Sequence, residues 1–209
     1  MIGELARQFG DAWRSTSWIE ITAAVLAIVY LLLAIRQRLM CWTAAFVSSC
    51  LYVCVMFAAH LYMESVLNVF YAAMAVYGYR QWTQDRAGGA GMLEISRWSA
   101  SRHAGGLLGV VAMSFVTSYF LRRFTPAAWP FVDSMVAWSS VFATFLVARK
   151  VYENWHWWLV IDSVSLGLYF TRRLYLTMLL FGLYLLMIVV GMREWRRSSQ
   201  LAIHAAQPV

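Results

Sequence analysis

Residues 18–82 of the chain align with residues 131–195 without a gap, at a constant shift of 113 positions. Trp42 falls on Trp155, Leu61 and Tyr62 on Leu174 and Tyr175, and Tyr71 on Tyr184. Gly78, Arg80 and Trp82 fall on Gly191, Arg193 and Trp195, and Arg36 falls on Arg149. Matched leucines and valines would follow from an apolar bias alone. Matched Trp, Gly and Arg at fixed places do not. The chain is a duplication, and its two copies are expected to build one structure twice.

The solvent of that structure is lipid. The sequence is 62% hydrophobic and only 13% charged, more apolar surface than a water-soluble domain of 209 residues can enclose. A hydrocarbon core about 30 Å thick needs about 20 apolar residues per helix. Seven stretches qualify, at 18–35, 40–59, 62–79, 103–121, 127–148, 154–171 and 174–192. Each copy supplies three, and the stretch at 103–121 lies between them. Three crossings reverse the chain an odd number of times, so directly joined copies would be inverted; one more crossing restores the orientation. The predicted fold class is an all-α polytopic membrane protein of seven transmembrane helices. Two parallel three-helix repeats are joined by a connector helix, a 3+1+3 arrangement of the kind common among transporters. The expected divisions are an interfacial segment (1–17), a first repeat (18–82), a cytoplasmic loop (83–102), the connector (103–121), a second repeat (127–195) and a cytoplasmic tail (196–209), of which 198–209 read as disordered. Seven spans leave no room for a soluble catalytic domain.

Charge placement orients the chain. A net charge of +7 raises the question of nucleic acid, but the 17 Lys and Arg sit in the segments between spans. Most of them fall on one side if the N-terminus is outside and the C-terminus cytoplasmic, as the positive-inside bias favours. Trp13, Trp18, Trp42, Trp82, Trp98, Trp129 and Trp195 lie near span ends and read as aromatic belts. Glu4, Arg7, Asp11 and Arg14 interrupt the first sixteen residues, which do not read as a signal peptide. Cys41, Cys50 and Cys54 all fall in the second span, with neither metal-ligand nor redox spacing, and read as small packing residues. Gly88, Gly89 and Gly91 belong to a flexible loop with no strand before it and no Lys-Ser/Thr after it, so they do not form a phosphate cradle. His60, His156 and His204 have no ligand spacing. No metal and no cofactor is expected.

A small substrate lacks twofold symmetry, so polar mismatches between the copies are the places to look for recognition. Three stand out: Ala45 against Trp158, Ser49 against Asp162, and Asn68 against Phe181. Trp158, Asp162, Ser165 and Tyr169 share one stripe of the sixth helix. A carboxylate at mid-membrane depth costs roughly 2.5–3.5 kcal/mol on insertion scales. It therefore faces a wet cavity or a partner; the alternative is a structural hydrogen bond to Ser49, Ser165 or a neighbouring helix. Glu64, Asn68 and Tyr71 form a second stripe on the third helix, with Glu64 near the outer surface. Tyr71 and Tyr184 either line a cavity from both copies or pack. Glu20 and Asp133, paired by the repeat at the outer ends of spans one and five, are either an external gate or helix caps. Trp155 and Trp157 stand at the mouth of span six.

The run Glu153-Asn154-Trp155-His156-Trp157-Trp158-Leu159-Val160-Ile161-Asp162, with Leu168-Tyr169 and Leu174-Tyr175-Leu176-Thr177 after it, resembles the PnuC-type nicotinamide riboside transporters. So do Leu61-Tyr62, Leu67-Asn68-Val69-Phe70-Tyr71 and Tyr77-Gly78-Tyr79-Arg80-Gln81-Trp82 of the first copy. The resemblance implies a 3+1+3 fold similar to the SWEET sugar transporters, in a bacterial inner membrane. It implies uptake of an unphosphorylated vitamin precursor by facilitated diffusion, followed by trapping through a cytoplasmic kinase. Relatives of that family carry thiamine or riboflavin, and some associate as trimers. The family often has Gln at the place of Asn68 and Asn near the place of Asp162, so these two positions bear on which vitamin is carried.

For nicotinamide riboside the resemblance gives each residue a role. Trp158 and Tyr169 offer π faces to a cationic ring, worth about 0.5–2 kcal/mol each. Asp162 takes the ribose diol or offsets the ring charge, Asn68 pairs with a carboxamide, and one of Trp155 and Trp157 closes over the substrate. Ser49, Tyr71, Ser165 and Tyr184 complete the candidate site. A proton-coupled symporter is the variant reading, with Asp162 or Glu64 as the titrating group. An intramembrane enzyme would need a nucleophile–base pair or a metal cluster, and no such spacing occurs. Short loops and duplicated halves oppose a receptor.

Overall fold

The computed structural model describes residues 17–58, 62–87, 94–124, 129–171 and 175–205. Seven helices follow one another: α1 (Trp18–Ile35), α2 (Met40–Ala58), α3 (Tyr62–Ala87), α4 (Ala100–Phe124), α5 (Pro130–Ala148), α6 (Asn154–Thr171) and α7 (Tyr175–Ala205). They coincide with the seven apolar stretches, with two extensions. Helix α3 runs on to Ala87, and α7 runs to Ala205 through residues expected to be a disordered tail. Beyond Trp195 the sequence holds no Gly or Pro before Pro208, so nothing interrupts the backbone ladder once it leaves the apolar layer. By length and composition, α1, α2, α4, α5 and most of α7 are apolar enough to cross a membrane. Helices α3 and α6 carry Asn68, Asn154 and Asp162, polar groups that line the space the helices enclose.

The duplication is visible in the turns. After α1, Gln37 N–H bonds to the Ala34 carbonyl at 3.0 Å and Arg38 N–H to that of Leu33 at 2.9 Å. After α5, Lys150 N–H bonds to Val147 at 3.0 Å and Val151 N–H to Leu146 at 2.9 Å, the same pair of bonds shifted by the repeat. Both are the 6→1 and 5→2 closures that use up the last carbonyls of a helix, and they require a left-handed residue just past the end. Gln37 (φ 53°) and Lys150 (φ 47°) occupy that position although neither is glycine.

Six helices close into a ring. Contacts run α1–α2–α3–α5–α6–α7 and return to α1, while α4 packs mainly on α5 and touches α6 where the Trp157 indole meets His103. The two junctions between copies, α3 on α5 and α7 on α1, are images of each other under the repeat. Helix α4 lies outside the ring, held by the Trp138 indole donating to Thr117 Oγ1 at 3.0 Å and by Gly106 set beneath the Phe142 ring. Its far face presents Leu108, Phe115 and Tyr119 outward, each more than half exposed, as a lipid-facing helix does.

The tightest packing is at one end of the ring, here termed the tryptophan end. Trp42 meets Trp82 edge-on with ring centroids 5.4 Å apart, and Trp155 meets Trp195 edge-on at 5.5 Å. A Cβ on Gly78 would run into the Trp42 ring, and one on Gly191 into the Trp155 ring. The indoles of Trp82 and Trp195 then cross to the other copy, donating to the carbonyls of Ala148 and Ala34. These residues are not belt anchors: Trp42, Trp82, Trp155 and Trp195 are buried, whereas Trp18 and Trp129 stay exposed as a belt requires. For Trp82 and Trp195 burial is favoured because an indole edge-on to another, with its N–H satisfied by a helix-end carbonyl, leaves little polar surface unpaired.

One side of the tryptophan end is strapped. Residues 94–99 run beside the α5–α6 turn, with Ser96 N–H bonding to Lys150 O at 3.0 Å and Tyr152 N–H to Ser96 O at 2.9 Å. Trp98 N–H donates to Glu153 Oε2 at 3.1 Å, and the Arg97 guanidinium lies 4.8 Å over the Tyr152 ring.

Candidate functional site

The ring encloses a cavity of about 390 Å³, walled by α1, α2, α3, α5, α6 and α7. All nine residues expected to bind substrate lie on its wall: Ser49, Asn68, Tyr71, Trp155, Trp158, Asp162, Ser165, Tyr169 and Tyr184. They come from four helices and both copies. Glu20 and Asp133 are not among the lining residues. Glu20 stands in the first turn of α1, where its N–H bonds to Ser17 Oγ at 3.2 Å, and Asp133 stands in the first turn of α5. Both carboxylates thus occupy helix N-termini, where negative charge is favourable. The side chain of Glu64 lies outside the described residues.

Most lining positions come in pairs related by the repeat, while the chemistry within a pair differs. Under the repeat Ser49 corresponds to Asp162, Ala45 to Trp158, Tyr52 to Ser165 and Leu31 to Thr144. The fold supplies a twofold framework and the side chains break it, as recognition of an asymmetric molecule demands. Tyr30, Tyr52, Ser140, Thr144 and Asn154 also line the cavity and were missed by the sequence reading. The signal for them was present: extending the mismatch test finds Tyr30 against Ala143, Tyr52 against Ser165, Ala27 against Ser140 and Cys41 against Asn154.

Three hydroxyl donors on this wall are committed to backbone. Ser48 Oγ donates to Ala23 O at 2.7 Å, Ser140 Oγ to Val136 O at 2.8 Å and Thr144 Oγ1 to Ser140 O at 2.7 Å. What they leave for a ligand is acceptor lone pairs. Asp162 differs. It is 5% exposed, has no ion-pair partner among the described residues, and makes no hydrogen bond to Ser49 or Ser165 there. No Lys or Arg lines the cavity among the described residues. Beside Asp162 the wall is aromatic: Tyr169 and Phe181 have centroids 5.1 Å apart, and Phe181 and Tyr184 5.7 Å. Among the described residues no group of three or more His, Cys, Asp or Glu is placed to hold a metal ion.

A closed ring of membrane helices around an aromatic cavity, with Asp162 the one carboxylate among its described lining residues, defines a polytopic membrane transporter for small molecules. The sequence model of the nicotinamide mononucleotide transporter family matches residues 17–197, and the chain belongs to that family. Among its relatives, the riboflavin/roseoflavin transporter RibM of Streptomyces davaonensis is 26% identical over 198 residues, covering 90% of this chain and 91% of RibM. The nicotinamide riboside transporter PnuC of Escherichia coli is 24% identical, covering 88% of this chain and 87% of PnuC. A crystal structure of the vitamin B3 transporter PnuC superposes with a TM-score of 0.70 at 18% identity, over 95% of this chain and 89% of that one, and shows the same fold.

Proposed function

We propose that the chain takes up nicotinamide riboside by facilitated diffusion, with a cytoplasmic kinase trapping the product. The observation that carries this reading is Asp162, a buried carboxylate with no ion-pair partner among the described residues, on a wall of tyrosine and tryptophan with no Lys or Arg among the described lining residues. A pyridinium nucleoside brings the complementary features: a planar cation for Trp158 and Tyr169, and a diol or ring charge for Asp162. A mononucleotide does not fit as well, because a phosphate adds close to two negative charges and finds no cation here to pair with. Transport follows from one three-helix copy rocking against the other around the cavity. With the N-terminus outside and the C-terminus cytoplasmic, the tryptophan end faces the cytoplasm.

RibM supports a second reading, riboflavin, on the same fold and cavity. Titration of the purified chain with nicotinamide riboside, thiamine and riboflavin, read by tryptophan fluorescence and calorimetry, decides between them. Binding of nicotinamide riboside alone, weakened in Trp158→Ala and Asp162→Ala, supports the first reading. Tighter binding of riboflavin or thiamine reassigns the cargo. Uptake into liposomes that persists when the proton gradient is collapsed supports diffusion over symport.

A further inference from the structure

The two junctions between the copies are images under the repeat, yet only one is reinforced. Each has its indole bond, Trp82 to Ala148 and Trp195 to Ala34, both at 3.1 Å. At the α3–α5 junction Tyr77 also stacks on Phe145, with centroids 6.2 Å apart and planes 13° from parallel. The Tyr77 hydroxyl accepts from Arg149 Nη1 at 3.3 Å. Lys150, 2% exposed, reaches across to α3 and sets its Nζ 4.7 Å over the Trp82 ring. A cation over an indole is worth most where both are withdrawn from water.

At the α7–α1 junction the shift of 113 residues puts Val190 in the place of Tyr77, Leu32 in that of Phe145 and Gln37 in that of Lys150. Val190 and Leu32 are 54% and 45% exposed. Neither has a ring to stack or a hydroxyl for Arg36, and Gln37 has no charge to set over Trp195. The strap adds to the imbalance. Ser96 pairs with the backbone of Lys150 and Tyr152, and no such backbone pair holds Gln37 and Leu39 among the described residues. Among those residues α3 and α5 also make a broader contact than α7 and α1.

Two stiff bodies joined at two places part at the weaker and turn about the stronger. We propose that the copies hinge along α3–α5, pinned by the Tyr77–Phe145 stack and by Lys150 on Trp82, and that the tryptophan end opens between α7 and α1. The proposal rests on the reading of the chain as a carrier, which requires the cavity to open, and names the side on which it does so. On opening, Trp195 gives up the Ala34 carbonyl while Trp82 keeps that of Ala148.

The test uses four exposed arginines matched by the repeat. Arg36 and Arg193 stand on α1 and α7 at the seam, and their images Arg149 and Arg80 stand on α5 and α3 at the hinge. Each pair is replaced by cysteine in a Cys41→Ala, Cys50→Ser, Cys54→Ser background, nitroxide-labelled and reconstituted in liposomes. Arg149→Cys gives up its bond to Tyr77 and leaves the stack and Lys150 in place. Pulsed electron paramagnetic resonance reads the distances with and without nicotinamide riboside or riboflavin, and uptake of both vitamins is measured on the same liposomes.

The pair across α7 and α1 is expected to show two populations of distance, and the pair across α3 and α5 a single one. Tyr77→Val, Phe145→Leu and Lys150→Gln together give the α3–α5 junction the residues of its image, and should bring a second population to its pair. Lys150→Arg keeps a cation for the ring and should keep one population. Two populations at both pairs without these changes, or at α3–α5 alone, overturn the hinge, and so does a single population at both. If the triple variant does not accumulate, the distances measured without it decide. A folded triple variant that retains one population at α3–α5 overturns the pin. Distances that behave as expected in liposomes that take up neither vitamin overturn the carrier reading and leave the hinge standing.

Discussion

Trp82, near the end of α3, donates its indole N–H to the carbonyl oxygen of Ala148 at 3.1 Å, from one copy of the repeat to the other. Trp195 returns the bond, donating to Ala34 at 3.1 Å. Both bonds cross the junctions where the copies meet, so together they latch the tryptophan end shut. Trp82→Phe and Trp195→Phe combined are expected to cost about 1–3 kcal/mol for each bond, since a buried carbonyl is left without its donor. They are also expected to loosen that end. Cys41, fully buried beside Trp42, is a native reporter. In a Cys50→Ser, Cys54→Ser background, a thiol reagent should label it faster in the double variant. Equal labelling rates would show that the bonds do not hold the end closed.

Glycine at 78 and 191 is required by contact. Gly78→Ala and Gly191→Ala each press a methyl into a tryptophan ring held from behind by a second tryptophan, so the ring cannot retreat cheaply. Overpacking of this kind costs about 1–3 kcal/mol. Both variants should melt earlier in detergent, and Gly191→Leu should fail to accumulate. Gly109→Ala, whose Cβ meets nothing within 4 Å, is the control and should behave as the unaltered chain does.

Asp162→Asn keeps the shape of the side chain and removes its charge. If the substrate is a cation, its affinity should fall at least tenfold, while a neutral flavin should lose much less. Trp158→Ala should weaken either ligand by removing a stacking face. Calorimetry with both ligands separates these outcomes, and unchanged affinity for both in both variants would move the binding site elsewhere in the cavity.

Glu153 holds the strap. Its carboxylate accepts from Trp98 N–H and lies 3.7 Å from His103 Nε2, while the other ring nitrogen of His103 accepts from the Trp157 indole at 3.3 Å. Glu153→Ala should release residues 94–99, seen as faster hydrogen exchange at Trp98 and Tyr152. Substrate affinity should not change, because none of these groups lines the cavity. Exchange that stays slow would mean that the Ser96 backbone pair alone secures the segment.

The legible and illegible parts of this protein divide by physical range. Helix positions follow from apolar length, and the ends of α1, α2, α5 and α6 match the expected stretches within a residue or a few. The cavity side of α6 follows from helical spacing, which puts Trp158, Asp162, Ser165 and Tyr169 on one stripe. Comparing the copies narrowed the rest, since a duplicated framework makes each unmatched polar residue conspicuous. The burial of Trp42, Trp82 and Trp195 was not legible. A tryptophan near a span end reads as a belt anchor, and only the carbonyl that meets it from the other copy decides otherwise.

Periodicity, duplication and apolar length are properties of neighbouring residues, so the sequence by itself determined seven helices, their 3+1+3 order and the asymmetric stripe on α6. Which helix touches which is a matter of packing between segments that are not neighbours in the chain. Tertiary structure alone therefore decided that the ring closes through α3 on α5 and α7 on α1, that Trp82 and Trp195 latch it, and that Tyr30, Tyr52 and Asn154 share a cavity with Asp162.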